Sequence, residues 1–321
     1  MVRIGYTLLG EQASPKDLVA NAVAAEQAGF DLAVASDHYF PWLDAQGHAP
    51  FVFSVLGAVA QATDTIDLMT YVTCPIKRYH PTVVAQMAAT VDLLADGRFT
   101  LGLGSGENLN EHVTGGGWPP VNVRHEMLAE AIQIIQALFT GEYLSYRGDH
   151  YQVDSAKLWD VGTPPPKIGV AVSGPQSCEL AGELADVMIG TEPKASLGEE
   201  FDLAGGAGKP RVGQVPVCYD PDRDTAVERA HELMRWFSLG WKVNSELPGT
   251  AAFAAASANT RPADVAESIA CGPDVELFVE AVRPYVEAGY TEVALAQVGR
   301  GSQADFIRWA EAELLPELRK L

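Results

Sequence analysis

The chain has 321 residues, 47% of them hydrophobic, and a formal net charge of −20. That length exceeds an ordinary small domain and suits one α/β barrel with insertions, whose core the apolar fraction can fill. The acidic balance repels a phosphate backbone, so nucleic acid is excluded as a partner, and the apolar runs, such as Val52–Ala62, are too short to cross a membrane. The four cysteines (Cys74, Cys178, Cys218, Cys271) are scattered and form no C-x-x-C, which argues for buried free thiols rather than a disulfide framework or a zinc site. The opening run Met1–Thr7 reads as a strand, not a signal peptide, and a cytoplasmic protein is expected.

Short β-branched runs alternate with helical periodicity along the chain. Val2–Leu8 is the first strand, followed by a helix from Pro15 with Ser14 as its N-cap. Asp31–Ala35 and Ile66–Thr73 are strands two and three, each leading to a helix, Phe51–Ala62 and Val83–Leu94. Strand four, Phe99–Gly104, runs into a glycine-rich loop and the helix Glu126–Phe139. Glu142–Val153 alternates around Gly148-Asp149 and reads as a hairpin insertion. Ile168–Val172, a helix after Pro175, and Asp186–Gly190 resume the order. Pro193–Lys209 reads as a mobile Gly/Ala-rich insertion. Val212–Tyr219, the helix Thr225–Phe237, the strand Thr291–Gln297 and the helix Ala304–Leu318 complete the chain, with Ser238–Pro273 a long insertion of little periodicity. Eight strand runs, each feeding a helix, predict a single (β/α)8 TIM-barrel domain over 1–321, with insertions near 105–121, 142–165, 193–210 and 238–273. A doubly wound sheet is the competing α/β solution.

In such a barrel the active site forms at the C-terminal ends of the strands. Strand two ends at Ser36-Asp37-His38, strand three at Thr73-Cys74-Pro75, strand four at Gly104-Ser105-Gly106-Glu107 with Asn110 beyond, and strand five at Ser173-Gly174-Pro175-Gln176. Polar and ionisable residues therefore recur wherever the chain points into one mouth. His38 exchanges protons near neutral pH and is the leading catalytic candidate. Trp42 offers an aromatic wall, and Glu107 a carboxylate beside small residues that let a ligand approach the backbone. Free N–H groups opening the helix after Ser173-Gly174 can receive a phosphate. The chain has no H-E-x-x-H and no G-x-S-x-G; Gly102–Glu107 lacks the last glycine of G-x-G-x-x-G; Gly208-Lys209 leads to Pro210, not to Ser or Thr; and the remaining histidines lack ligand spacing, so no metal is expected.

At these residues the chain resembles the luciferase-like superfamily, and within it the branch similar to F420-dependent glucose-6-phosphate dehydrogenase. The matching blocks are Ser36–Trp42, Gln46–Phe51, Thr73-Cys74-Pro75 with Arg78-Tyr79-His80-Pro81, Gly97-Arg98-Phe99, Leu101–Glu107, Leu109-Asn110-Glu111 and Gly174-Pro175. The resemblance spans nearly the whole chain and is tight over the first 180 residues or so. It implies hydride transfer with coenzyme F420, a deazaflavin whose chemistry the protein orients and tunes. It further implies that His38 takes the proton of a substrate hydroxyl, that Glu107 serves the deazaflavin as proton donor, that Trp42 stabilises the intermediate, and that Glu11 is an active-site carboxylate. Asp37, Tyr71, Val72, Cys74, Gly106 and Asn110 fall at cofactor-binding positions, with a non-proline cis peptide between Tyr71 and Val72, and the cofactor phosphate is implied near Ser173, Gly174, Pro175 and Gln176. Thr191 and Lys194 match half of a sugar-phosphate clamp. The late insertion, Pro248–Ala258, carries no cation, and Ser268 stands where an Arg is expected, which points away from glucose 6-phosphate and toward a less charged alcohol or carbonyl compound. Two alternatives stay open: an FMN-dependent monooxygenase on the same barrel, and a non-catalytic deazaflavin-binding protein. A small-molecule substrate and a homodimer are expected.

Overall fold

A computed structural model describes residues 2–321. Eight parallel strands close into a barrel: Arg3–Leu8, Leu32–Ala35, Asp67–Thr70, Phe99–Leu103, Lys167–Ala171, Val187–Gly190, Arg211–Cys218 and Glu292–Gln297. Each pairs with the next, and Arg3 opposite Glu292 joins the last strand to the first. The strands are short and apolar because both faces are covered. Leu32, Val34, Met69, Val187, Ile189, Val212 and Ala294 fill the inside of the ring, with the Tyr71 ring among them. The opposite faces, including Ile4, Leu68, Leu101 and Ile168, pack under the helices.

The first helix, Pro15–Gln27, starts as its sequence predicts: the Asp17 N–H donates to Ser14 Oγ (3.3 Å) and Pro15 occupies the first turn. The antiparallel pair Leu144–Arg147 and Gln152–Ala156 forms the expected hairpin.

Four segments differ from the expectation. The third strand stops at Thr70 rather than Thr73, and the Tyr71–Val72 peptide that follows is cis. Pairing resumes only at Thr73 opposite Leu103. Gly102 permits this, since a Cβ there would lie 1.9 Å from the Thr70 carbonyl oxygen, and Thr70 Oγ1 bonds both the N–H and the C=O of Gly102 at 2.9 Å.

Residues 193–209, read from composition as a mobile insertion, carry regular structure. They hold the helix Ala195–Phe201 and a further helical stretch, Asp202–Gly206, which serve the sixth strand. The Gly and Ala content is a packing device: a Cβ on Gly182 would meet Ala204 Cβ at 2.5 Å, so the small residues let two helices touch.

Residues 238–273 fold into the short helices Trp241–Asn244, Gly249–Ala256 and Pro262–Ala266, then a two-residue strand, Ala270–Cys271, beside Val217–Cys218. Each of the latter two helices is anchored by a single buried apolar side chain, Phe253 and Val265, too sparse a pattern to show periodicity. A helix absent from the expected order, Val275–Glu287, precedes the eighth strand and buries Phe278, Val279, Val282 and Tyr285 on one face.

Candidate active site

A cavity of about 370 Å³ opens at the C-terminal ends of the strands, the size class of a small-molecule site. It is lined from the sequence-predicted set by Glu11, His38, Trp42, Tyr71, Val72, Gly106, Glu107, Ser173 and Thr191. The strand ends therefore converge as barrel closure requires.

His38 sits at the floor between two carboxylates. Its Nδ1 lies 3.0 Å from Glu11 Oε1 and its Nε2 3.5 Å from Glu107 Oε1. Burial works to lower the His38 pKa, but the Glu11 and Glu107 carboxylates outweigh it and lift the group to about 8. Burial likewise pushes Glu11 up, and the opposing pull of His38, with the Ser36 hydroxyl donating to Glu11 Oε2 (3.0 Å), holds it below the usual carboxylate range. Replacing Glu11 with Gln is therefore expected to move the His38 titration down, toward its ordinary value of 6.5. Histidine ring NMR across a pH series measures it, and a midpoint still near 8 would refute the pairing as the cause.

Asp37, Cys74 and Asn110 do not face the cavity; they build it. Asn110 Oδ1 accepts from the Tyr39 and Phe40 N–H groups (2.7 and 2.9 Å), and its Nδ2 donates to Glu107, so one amide ties the His38 loop to Glu107. Arg78 lies between Asp37 Oδ1 (3.0 Å) and Glu111 Oε1 (3.4 Å), all three side chains nearly buried. Cys74 packs against Gly106, where φ is +75° and a Cβ would meet Cys74 Sγ at 2.4 Å. Gly106 thus lets the loop after the fourth strand close directly onto Cys74 behind the cavity wall.

Trp42 stacks on Trp236 with ring centroids 4.0 Å apart and meets the His38 ring edge-on at 5.1 Å. Phe253 closes against Trp42 edge-on at 5.0 Å. The Ala-rich late helix thus contributes a buried aromatic brace. Gln46 accepts from the Trp42 N–H (2.7 Å) and donates to the Leu233 carbonyl (3.1 Å), fixing this wall to the helix Arg223–Met234.

At the far end, Gly174, Pro175 and Gln176 form the start of the helix Pro175–Leu184 beside the cavity rather than its lining. The Ser173 and Gly174 N–H groups donate to Ser177 Oγ (2.9 and 3.2 Å). His125, lowered in pKa by burial, lines the wall near this turn, with its Nδ1 buried and unpartnered. Lys194 is exposed, bonded to Glu192 Oε2 (2.7 Å), and outside the cavity, so the expected clamp with Thr191 is not assembled.

Sequence reasoning missed Thr7, His125, Ser177, Gln214, Met234, Trp236, Phe237 and Trp241 as lining residues. The aromatic density of Trp236-Phe237 and Trp241 was the available signal. No group of His, Cys, Asp and Glu that could hold a metal occurs among the described residues.

A sequence model of the luciferase-like monooxygenase family matches residues 2–292. The chain is 38% identical to an F420-dependent glucose-6-phosphate dehydrogenase of Beutenbergia cavernae, covering 99% of this chain and 98% of that one. It is 36% identical to an F420-dependent hydroxymycolic acid dehydrogenase of Mycobacterium tuberculosis, covering 98% and 88%. Among solved structures, an F420-dependent secondary alcohol dehydrogenase in complex with an F420–acetone adduct superposes with a TM-score of 0.90 at 26% identity, covering 99% of each chain. With its closed barrel, its mouth at the strand ends and these relatives over its full length, the chain belongs to the luciferase-like family.

Proposed function

We propose that this chain is an F420-dependent oxidoreductase that interconverts a hydroxyl and a carbonyl compound. The observation that carries the reading is His38 held between Glu11 and Glu107 at the floor of a ligand-sized cavity. Relatives at 36–38% identity over nearly the whole chain are F420-dependent dehydrogenases, whereas three monooxygenases of known structure on the same barrel align at only 12–17% and speak for the fold alone.

The residues fit a deazaflavin. Gly104 lies against Val72, where a Cβ would meet Val72 Cγ2 at 2.6 Å, so no side chain separates that backbone from the Tyr71–Val72 wall, and Gly174 has open space where a Cβ would stand. Tyr71, Val72, Gly106 and the turn Ser173–Ser177 are the residues that would hold it. Bound F420 supplies the two-electron acceptor for the carbinol hydride.

His38 takes the hydroxyl proton. Glu11 orients its ring and favours the imidazolium that results. Glu107, steered by Asn110, holds the second proton position at the cavity floor. Trp42, backed by Trp236, walls the reacting centre from water. Asp37 and Cys74 act behind the wall as positioning residues, and Asn110 through Glu107.

Titrating the protein with F420 and FMN, each followed by its own absorbance and fluorescence, tests the cofactor. Preferential F420 binding is expected; tighter binding of FMN overturns the assignment.

No helix is long and apolar enough to cross a membrane among the described residues. We further propose a single-domain cytoplasmic protein that forms a homodimer; the exposed Val83 and Leu93 on the helix Pro81–Leu94 support the dimer alone. Sedimentation velocity tests the oligomer.

A further inference from the structure

The cavity carries a charge pattern and an aromatic hood that the reaction alone does not require. No Lys or Arg lines it, while Glu11, Glu107 and Glu192 do. The nearby cations are engaged elsewhere or turned out. Arg78 is held by Asp37 and Glu111, Lys194 by Glu192, and Arg235 by the Glu232 carbonyl (3.0 Å). Lys242 is exposed and outside the lining. Arg3 and Lys167 stand at the opposite, N-terminal end of the barrel.

Opposite His38, the segment Met234–Asn244 forms the hood. Met234, Trp236, Phe237 and Trp241 all line the cavity. Trp236 is fixed by its stack on Trp42 and by edge contacts with Phe237 (6.0 Å) and Phe253 (6.4 Å). Trp241 is different: it is 42% exposed, and it follows Gly240, whose φ of +78° turns the chain at the rim. A large apolar side chain left half in water at a cavity mouth is a surface for a ligand to cover.

We propose that the site takes an uncharged hydroxy or keto compound with an apolar body, seated beneath Trp236 and Trp241, and that it rejects phosphate esters. A phosphate dianion placed beside His38 meets Glu11 and Glu107 with no Lys or Arg to offset them, and the one cationic group there, the His38 imidazolium, is already shared between those two carboxylates; like-charge juxtaposition is strongly unfavourable. An alkyl or alicyclic body instead removes water from the indole faces. This inference rests on the F420-dependent reading.

The test separates the two. F420 binding is measured first, by fluorescence, without substrate. The loaded enzyme is then assayed in both directions with 2-propanol, cyclohexanol, 2-octanol and their ketones, beside glucose 6-phosphate. The expected result is turnover of the neutral series, with kcat/KM for glucose 6-phosphate lower by about 100-fold or more. Trp241→Ala is expected to cut kcat/KM for 2-octanol about tenfold, with a smaller loss for 2-propanol, at unaltered F420 affinity. Tryptophan fluorescence of the F420-free protein is expected to respond to cyclohexanol and not to glucose 6-phosphate. Preference for glucose 6-phosphate, or no turnover of any neutral compound by protein that binds F420, overturns the substrate class. Failure to bind F420 overturns the functional reading beneath it.

Discussion

Replacing His38 with Ala is expected to lower kcat for alcohol oxidation by about 10²–10⁴-fold while F420 is still bound, the usual span for losing a general base. The reason is geometric: His38 is the one imidazole at the cavity floor that two carboxylates hold, Glu11 at 3.0 Å and Glu107 at 3.5 Å. With its pKa raised to about 8, the neutral, proton-accepting form increases as pH climbs through that value. Oxidation by the unmodified enzyme is therefore expected to rise with pH up to about 8 and then level off, with the reduction direction showing the opposite slope. His38→Ala also removes the partner of buried Glu11, so His38→Asn, which keeps a polar group there, separates catalysis from folding. The stability effect has its own sign. A histidine raised above its unfolded value stabilises the fold fully below the ordinary 6.5 and loses that contribution as pH passes about 8. The shift corresponds to roughly 2 kcal/mol, so the alanine variant is expected to be destabilised more in mildly acidic than in alkaline buffer. Retained kcat in both variants would remove His38 from the mechanism.

The second large effect concerns stability. Arg78→Ala is expected to cost about 3–5 kcal/mol at neutral pH, because it leaves two buried carboxylates without a counter-charge. Asp37 and Glu111 are each about 1% exposed at the side chain. Burial already lifts Glu111 to about 7 and raises Asp37, with Arg78 pulling both down. An acid whose folded pKa is raised binds protons better in the native state, so stability falls as pH rises past its unfolded value. Without Arg78 both acids rise further, and the loss is expected to be smaller near pH 5 than at about pH 8. Urea unfolding at the two pH values measures this; an unchanged midpoint at both would dismiss the cluster as a support of the His38 loop. That loop depends on it because Arg78 also donates to the Asp37 carbonyl (2.7 Å), one residue before His38.

Much of this protein is legible in one dimension. Strand runs such as Asp31–Ala35 and helix starts such as Ser14-Pro15 are written in local apolar spacing and cap chemistry, which act over a few residues. That suffices to place Ser36-Asp37-His38 at a strand end, and so at a mouth. Two segments misled for a shared physical reason. Residues 193–209 are rich in Gly and Ala because helices touch there, and touching is not visible in composition. The Ala-rich helix Gly249–Ala256 presents a single buried aromatic, Phe253, whose purpose appears only against Trp42.

What His38 faces was decided elsewhere. Glu11 comes from the loop after the first strand, Glu107 from the loop after the fourth, and their distances to one imidazole follow from barrel closure and strand register. The stack of Trp42 on Trp236 and the absence of Lys and Arg from the lining depend in the same way on segments far apart in the chain. Local patterns determine which residues are strand, helix and strand end. Non-local packing alone determines which of those ends meet, which carboxylates lie beside His38, and therefore that this imidazole is raised to about 8.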